Sequence, residues 1–252
     1  FVTEYPVGAT HTTARIVSAL AGGREAGVTE LAEELSVSKA SVHNHLVTLE
    51  RLGVVLSSNG RYRLGLRFLD LGIGVRDGMT LYQTAYPEVN GLAESTGEST
   101  ALVVPEHGEA VHAAVEDAER NDRRIKLGSR LPLHATAAGK LILAYRSRDE
   151  VEAYVETHGL DRLTDRTVQS PSDLRDELRS IADRGLAFDR GEVWEDMRSV
   201  AAPIRQGERG DALAGAVAVL GPAERLSGKR LEEDLPGLVL SAAKRVELDL
   251  AD

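Results

Sequence analysis

Apolar positions near the amino end recur at helical spacing. Ile16, Val17, Leu20 and Ala21 share one face, with Thr12 and Thr13 as capping hydroxyls and Gly22-Gly23 as the stop. A second helix is predicted from Thr29, with Leu31, Ala32 and Leu35 inward and Glu30, Glu33 and Glu34 outward, its first-turn acid complementing the helix dipole. Ser38 caps a third, Lys39 to Leu52, whose buried stripe is Val42, Leu46, Leu49 and Leu52. The opposite face of that helix carries Lys39, Ser41, His43, Asn44 and Thr48, short hydrogen-bonding side chains with one cation. A hairpin then follows: Val54-Val55-Leu56, the turn Asn59-Gly60, and Arg61 to Leu64. Arg61 and Arg63 alternate to one face, where phosphates can meet them, and Tyr62 and Leu64 to the other. Two short helices joined by a tight turn and followed by a hairpin predict a winged helix-turn-helix, the arrangement that lays its second helix in the major groove of DNA.

Leu66, Leu69 and Ile73, with Arg76 less regularly, continue as a helix from Leu64 to Arg76 with one apolar seam. The seam needs a partner, either its own domain or the same helix of a second copy as a short coiled coil, and the second is favoured because DNA readers of this class are commonly two-fold dimers. From Tyr82 the pattern is mixed. A helix through Pro87 to Ser95 precedes strands at Ser99 to Val104 and Ala110 to Val115, and helices are predicted at Ala137 to Tyr145, Asp149 to His158 and Ser172 to Arg184. Strands return at Arg198 to Ile204 and Ala212 to Val219, and a last helix runs from Leu226 to Leu250. The expected organisation is a winged helix-turn-helix over residues 1–65, mostly α with a β-hairpin wing, a linker helix over 66–81, and an α+β domain with an antiparallel sheet over 82–252.

Charge distribution sharpens this division. The 252 residues are 42% hydrophobic and 28% charged, ordinary for a globular chain, and the formal net charge is −10. Residues 1–77 hold eight basic and eight acidic side chains, so all ten excess negatives lie beyond them. The first third is therefore free to approach a polyanion while the remainder repels it. With no cysteine there is neither a disulfide framework nor a thiolate site, and residues 1–20 lack the pattern of a secretory signal, so the expected address is the cytoplasm. The longest small-apolar stretch, Ala212 to Gly221, is ten residues, about half of the ~20 a membrane span needs. The scarcity of lysine fits a salty cytoplasm or a GC-rich genome equally.

Enzyme chemistry finds little support. His107, His112, His134 and His158 have no metal-ligand spacing and read as surface or satisfied core residues, and no Gly-x-Ser-x-Gly elbow occurs. Asp189, Glu192 and Glu195 are candidates for paired carboxylates, but in an acidic protein they read first as a solvated cluster. The small residues Ala135 to Gly139 open a helix whose free N–H groups suit an anion, with Ser129 or Thr136 adding a hydroxyl. Close packing of loop on sheet explains the same residues.

The whole chain resembles the IclR-type transcription regulators. Lys39-Ala40-Ser41-Val42-His43 is similar to the family's recognition helix, and Asn59 to Gly65 to its wing. Gly128 to Lys140 follows the family motif almost position for position, and Gly185 to Asp189, Ser199 to Ile204 and Gly221-Pro222 complete the match. The resemblance implies a profilin-like or GAF-like second domain that binds a small effector, often an organic or sugar acid. It implies no enzyme activity and no cofactor. Partners are then an operator duplex, the effector, and a second copy of the chain as a homodimer or dimer of dimers, with no membrane. DNA-binding candidates are Ser38, Lys39, Ser41, His43, Asn44, Thr48, Arg61 and Arg63; effector-binding candidates are Ser129, Thr136, Ala137, Ala138, Asp189, Ser199, Ala218 and Leu220. The family often has cysteine at Ser199, glycine at Ala137, serines at Ala218 and Leu220, and arginine at Asn44, so a smaller, more apolar pocket is expected here. The competing reading is a metabolite-binding protein or enzyme whose N-terminal module makes protein contacts only.

Overall fold

In the computed structural model, which describes residues 5–117, 124–207 and 212–251, helix α1 spans Gly8–Ala19. It starts a turn ahead of the expected caps. Thr12 and Thr13 instead donate their hydroxyls to the carbonyls of Gly8 and Ala9 inside the helix, at 3.0 Å each. Helix α2 (Val28–Leu35) follows, and Glu30 reaches back to accept from the Gly27 N–H at 3.0 Å. Ser36, in the left-handed region at φ 54°, ends it. Helix α3 (Lys39–Arg51) is capped by Ser38, whose hydroxyl accepts from the Ser41 N–H at 3.2 Å.

Ile16, Leu20, Leu31, Leu35, Val42, Leu46 and Leu49 form the core of this unit. Leu52, expected in that stripe, is the cap residue and 55% exposed, because the helix ends before it can turn inward. The hairpin pairs β2 (Val55–Ser58) with β3 (Arg61–Leu64), and a two-residue strand absent from the sequence reading, β1 (Ala26–Gly27), pairs with the other edge of β3. Helix α4 (Arg67–Asp77) starts three residues later than expected and buries none of its residues. Its seam residues Leu69 and Ile73, with Leu66 just ahead, are exposed.

The chain divides into two units, Phe1–Arg76 and Asp77–Asp252. In the second, α5 (Thr80–Thr96) ends at Gly97 in the left-handed region, φ 68°. The sheet is antiparallel with order β6-β5-β4-β9-β8-β7: β4 (Ser99–Glu106), β5 (Glu109–Glu116), β6 (Arg130–Pro132), β7 (Ala187–Asp189), β8 (Met197–Gln206) and β9 (Ala212–Pro222). Edge strands β6 and β7 were not foreseen, since three residues are too few to show alternation. The long final helix is also corrected. A five-residue π turn, Arg230–Asp234, precedes α9 (Leu235–Asp249).

Alternation along the strands sends Leu102, Val200, Ala202, Val217 and Val219 to one face, covered by α5 and α9. Ala101, Val103, Ala201, Ala218 and Leu220 go to the other, covered by α6 (Ala137–Ala144), α7 (Arg148–His158) and α8 (Pro171–Arg184). Helix α6 is almost wholly buried, from Ala137 through Leu143. It lies so close to the preceding turn that a Cβ on Gly139 would sit 2.4 Å from the Leu133 carbonyl oxygen and 2.5 Å from Thr136 Oγ1. No helix among the described residues is long and apolar enough to cross a membrane.

Gly139→Ala is therefore expected to cost about 2 kcal/mol in urea unfolding through overpacking. Gly237→Ala, in α9 with nothing within 4 Å of the added carbon, is expected to gain roughly 0.5–1 kcal/mol by helix propensity. Equal effects at the two positions would contradict the packing described for α6.

Candidate nucleic-acid interface and effector site

The helical period of α3 separates two faces. Val42, Leu46 and Leu49 are buried, while Lys39, His43, Asn44 and Thr48 are exposed and Ser41 is half-buried. Two expected readers are partly occupied: the Ser38 hydroxyl caps the helix, and Thr48 donates to the Asn44 carbonyl at 2.8 Å. His45, not singled out from the sequence, is held by a 2.9 Å bond between its Nδ1 and Thr13 Oγ1, which ties α3 to α1. Arg61 and Arg63 share the exposed face of β3, opposite Tyr62 and Leu64, as the alternation requires. Their guanidiniums are not idle. Arg61 contacts Glu30 at 3.1 Å and the Glu25 carbonyl at 2.7 Å, and Arg63 lies 3.7 Å from the Glu25 carboxylate. Such exposed pairs contribute roughly 0–1 kcal/mol, so a phosphate can exchange with them.

In the second unit, strand register sets Asp189 opposite Ser199 and Ser199 opposite Leu220, one row across β7, β8 and β9. This row, with Ala218, Thr136, Ala138, His112, Val103, Ile125, Leu131, Trp194 and Met197, lines a cavity of about 30 Å³. It holds about one water, whereas organic ligands occupy roughly 300–1,000 Å³. Six of the eight expected residues therefore converge. The other two do not: Ala137 belongs to the core beneath, and the Ser129 hydroxyl accepts from the Lys126 N–H at 2.8 Å in a turn. The helix end is also less free than its small residues suggest, because Thr136 Oγ1 accepts from the Gly139 N–H at 2.9 Å.

The acidic trio is not a solvated cluster. Asp189 and Glu192 are buried and only Glu195 is exposed. Asp189 Oδ1 accepts from the N–H groups of Gly191 and Glu192 at 2.9 and 2.6 Å, while burial pushes its carboxyl up. Lys140, fully buried in α6, contacts Glu177 of α8 at 2.6 Å and Glu192 at 2.5 Å. Burial raises the Glu192 carboxyl to about 7 despite Lys140, and its Oε2 has no partner among the described residues. The buried histidines are satisfied. His112 Nδ1 meets the Ser129 carbonyl, and His134 sits between Tyr154 and the Asp161 carbonyl; burial lowers both rings. Among the described residues no group of three potential ligands could hold a metal.

A winged helix-turn-helix joined to an α+β domain with a small cavity on one sheet face defines the class of DNA-binding regulators that carry their own sensor domain. A model of the bacterial transcriptional regulator IclR C-terminal domain matches residues 74–248, and one of the IclR helix-turn-helix domain matches residues 13–57. The chain belongs to the IclR family of transcriptional regulators, not to an enzyme class. It is 36% identical over 244 residues to the glycerol operon regulatory protein of Streptomyces coelicolor, covering 94% of each chain. A crystal structure of a transcriptional regulator from Rhodococcus sp. RHA1 superposes with a TM-score of 0.84 at 28% identity, over 97% of this chain and 98% of that one. An IclR homolog from Microbacterium hydrocarbonoxydans, crystallised with 4-hydroxybenzoate, shares the fold with a TM-score of 0.82 at 22% identity, over 96% and 99%.

The raised Glu192 carboxyl sets a pH dependence. Between pH 4.5, its ordinary value, and about 7 the folded chain keeps a proton that the unfolded chain releases, so stability from this group falls as pH rises through that window and is flat above it. The buried rings of His112 and His134, lowered from their ordinary value, act in the opposite sense within this window. The Glu192 contribution, at most about 1.4 kcal/mol per pH unit, is therefore read in urea unfolding as the difference between the parent chain and Glu192→Gln, whose stability is expected to fall less as pH rises. An unchanged slope in that variant would contradict the buried assignment.

Proposed function

We propose that this regulator binds an operator duplex through α3 and the β2–β3 hairpin, and that an organic acid with a substantial apolar body changes that affinity from the second domain. The observation that carries the reading is the exposed polar face of α3 on an otherwise buried helix. Lys39, His43 and Asn44 stand where base edges and phosphates are reached, and Arg61 and Arg63 exchange Glu25 and Glu30 for the backbone beside them. The exposed seam of Leu66, Leu69 and Ile73 supports pairing with the same helix of a second copy, which sets two modules on half-sites.

The effector cavity favours an apolar ligand because Val103, Ile125, Leu131, Ala138, Val193, Trp194, Met197, Ala218 and Leu220 supply most of its wall. Beside the cavity, Arg124 pairs with Asp196 at 2.7 Å and lies 5.7 Å from the ring centre of the wall residue Trp194; a ligand larger than water needs the wall to be displaced. That displacement gives the ligand different affinities for two arrangements, the thermodynamic requirement for regulation. An aromatic acid such as the 4-hydroxybenzoate of the Microbacterium homolog has the appropriate chemistry.

Fluorescence anisotropy on a duplex enriched from a random library by the full chain tests the first half. Lys39→Ala with Arg61→Ala is expected to weaken binding at least about tenfold and to lower the salt slope by about two; unaltered binding overturns the interface. For the second half, a thermal-shift panel of organic acids is expected to yield a stabiliser that also changes duplex affinity. A panel without any such acid overturns the effector reading.

A further inference from the structure

A cavity larger than the effector cavity lies elsewhere in the second unit. A groove of about 440 Å³, within the ~300–1,000 Å³ range of small-molecule sites, opens between the end of α6, the start of α7 and the middle of α8. Its floor is Leu143, Ala144, Val151, Leu178 and Ala182, and its rim is Arg146, Arg148, Arg175 and Arg179. We propose that this groove is a second ligand site, for a small organic dianion that carries an anionic group at each end of an apolar body.

Three features of the groove select that chemistry. Two guanidiniums come from the α6–α7 side and two from α8, so positive charge faces the apolar floor from both walls. No acidic side chain lines the groove, in a chain of net charge −10. The acids nearby hold the arginines from outside: Arg146 pairs with Glu150 at 3.0 Å, Arg148 with Glu152 at 2.8 Å, and Arg179 with Asp176. Arg175 makes no ion pair among the described residues, and it adds only weakly to Arg148 in holding Glu152 below its ordinary range. The three pairs are exposed and screened by water, whereas a carboxylate or phosphate accepting from two guanidiniums gains charge-assisted, geometrically matched bonds.

The groove is also wired to the effector cavity. The amino end of α6 contributes Thr136 and Ala138 to that cavity, and its carboxyl end contributes Leu143 and Ala144 to the groove. Between them Lys140 grips Glu177, which lies on α8 within the segment that carries Arg175 and Arg179. A ligand that draws α8 toward α7 therefore pulls on the helix that closes the effector cavity, and the coupling runs equally in both directions.

Isothermal titration of the full chain with isophthalate, glutarate and inorganic phosphate tests the site without reference to DNA. Isophthalate or glutarate is expected to bind with a Kd below about 1 mM, and Arg175→Ala with Arg179→Ala to weaken it at least tenfold. Arg162→Ala, which removes an exposed arginine outside the groove, is expected to leave it unchanged. Arg175→Lys with Arg179→Lys, which keeps charge without the fork, serves if the alanine variant does not fold and is expected to weaken binding by a smaller factor. Absence of dianion binding overturns the proposal, as does equal binding of inorganic phosphate or affinity that survives the groove substitutions. So does sedimentation showing that those substitutions alter self-association alone, which would make the groove a subunit contact. Because titration reads the groove directly, its failure leaves the operator reading standing, and loss of operator binding leaves the groove standing.

Discussion

Lys140 is the constraint around which the second domain is built. A fully buried ammonium is tolerated only when opposite charge is brought to it, because its desolvation is far costlier than any surface pair can offset. Glu192 and Glu177 supply that charge from two different elements, at 2.5 and 2.6 Å. The result fixes α6 against both the loop after β7 and helix α8. It also leaves Glu192 with an unpartnered oxygen among the described residues and with a carboxyl that burial raises and the neighbouring Glu177 raises further. Cavity and groove sit at opposite ends of the helix so held.

The first domain solves the opposite problem. Its task is to keep polar groups exposed without leaving them disordered. Short side chains on α3 bond back to their own helix, as Thr48 does to Asn44, and the wing arginines rest on Glu25 and Glu30. These contacts are weak enough to be traded for phosphates and strong enough to orient the guanidiniums beforehand. Zero net charge over residues 1–77 is a balance of eight basic and eight acidic side chains, among them the exposed pairs of Arg24, Arg61 and Arg63. The acidic remainder carries all ten excess negative charges, which repel a polyanion.

Much of this was legible in the residue pattern. The stripe of Val42, Leu46 and Leu49 defined both the core of α3 and, by subtraction, its outward face. Alternation gave β3 and the sides of Arg61 and Arg63. Errors gathered where local signals compete or run short. Thr12 and Thr13 look like caps yet bond within a turn, Leu52 follows the helical period but falls past the helix end, and β1, β6 and β7 are too brief to alternate. Asp189 and Glu192 read as solvated acids because nothing in a run of polar residues marks which of them folds inward.

By itself the sequence determined the periodic faces, the division of charge between the two ends and, through the motif from Gly128 to Lys140, the family. Periodicity is a local property, so it survives being read one residue after another. Tertiary structure alone decided which charges became buried. Lys140 meets Glu192 across 52 positions and Glu177 across 37, and the four arginines of the groove come from two helices and the turn before one of them. Contacts between distant residues follow from how elements pack, and no local pattern encodes them.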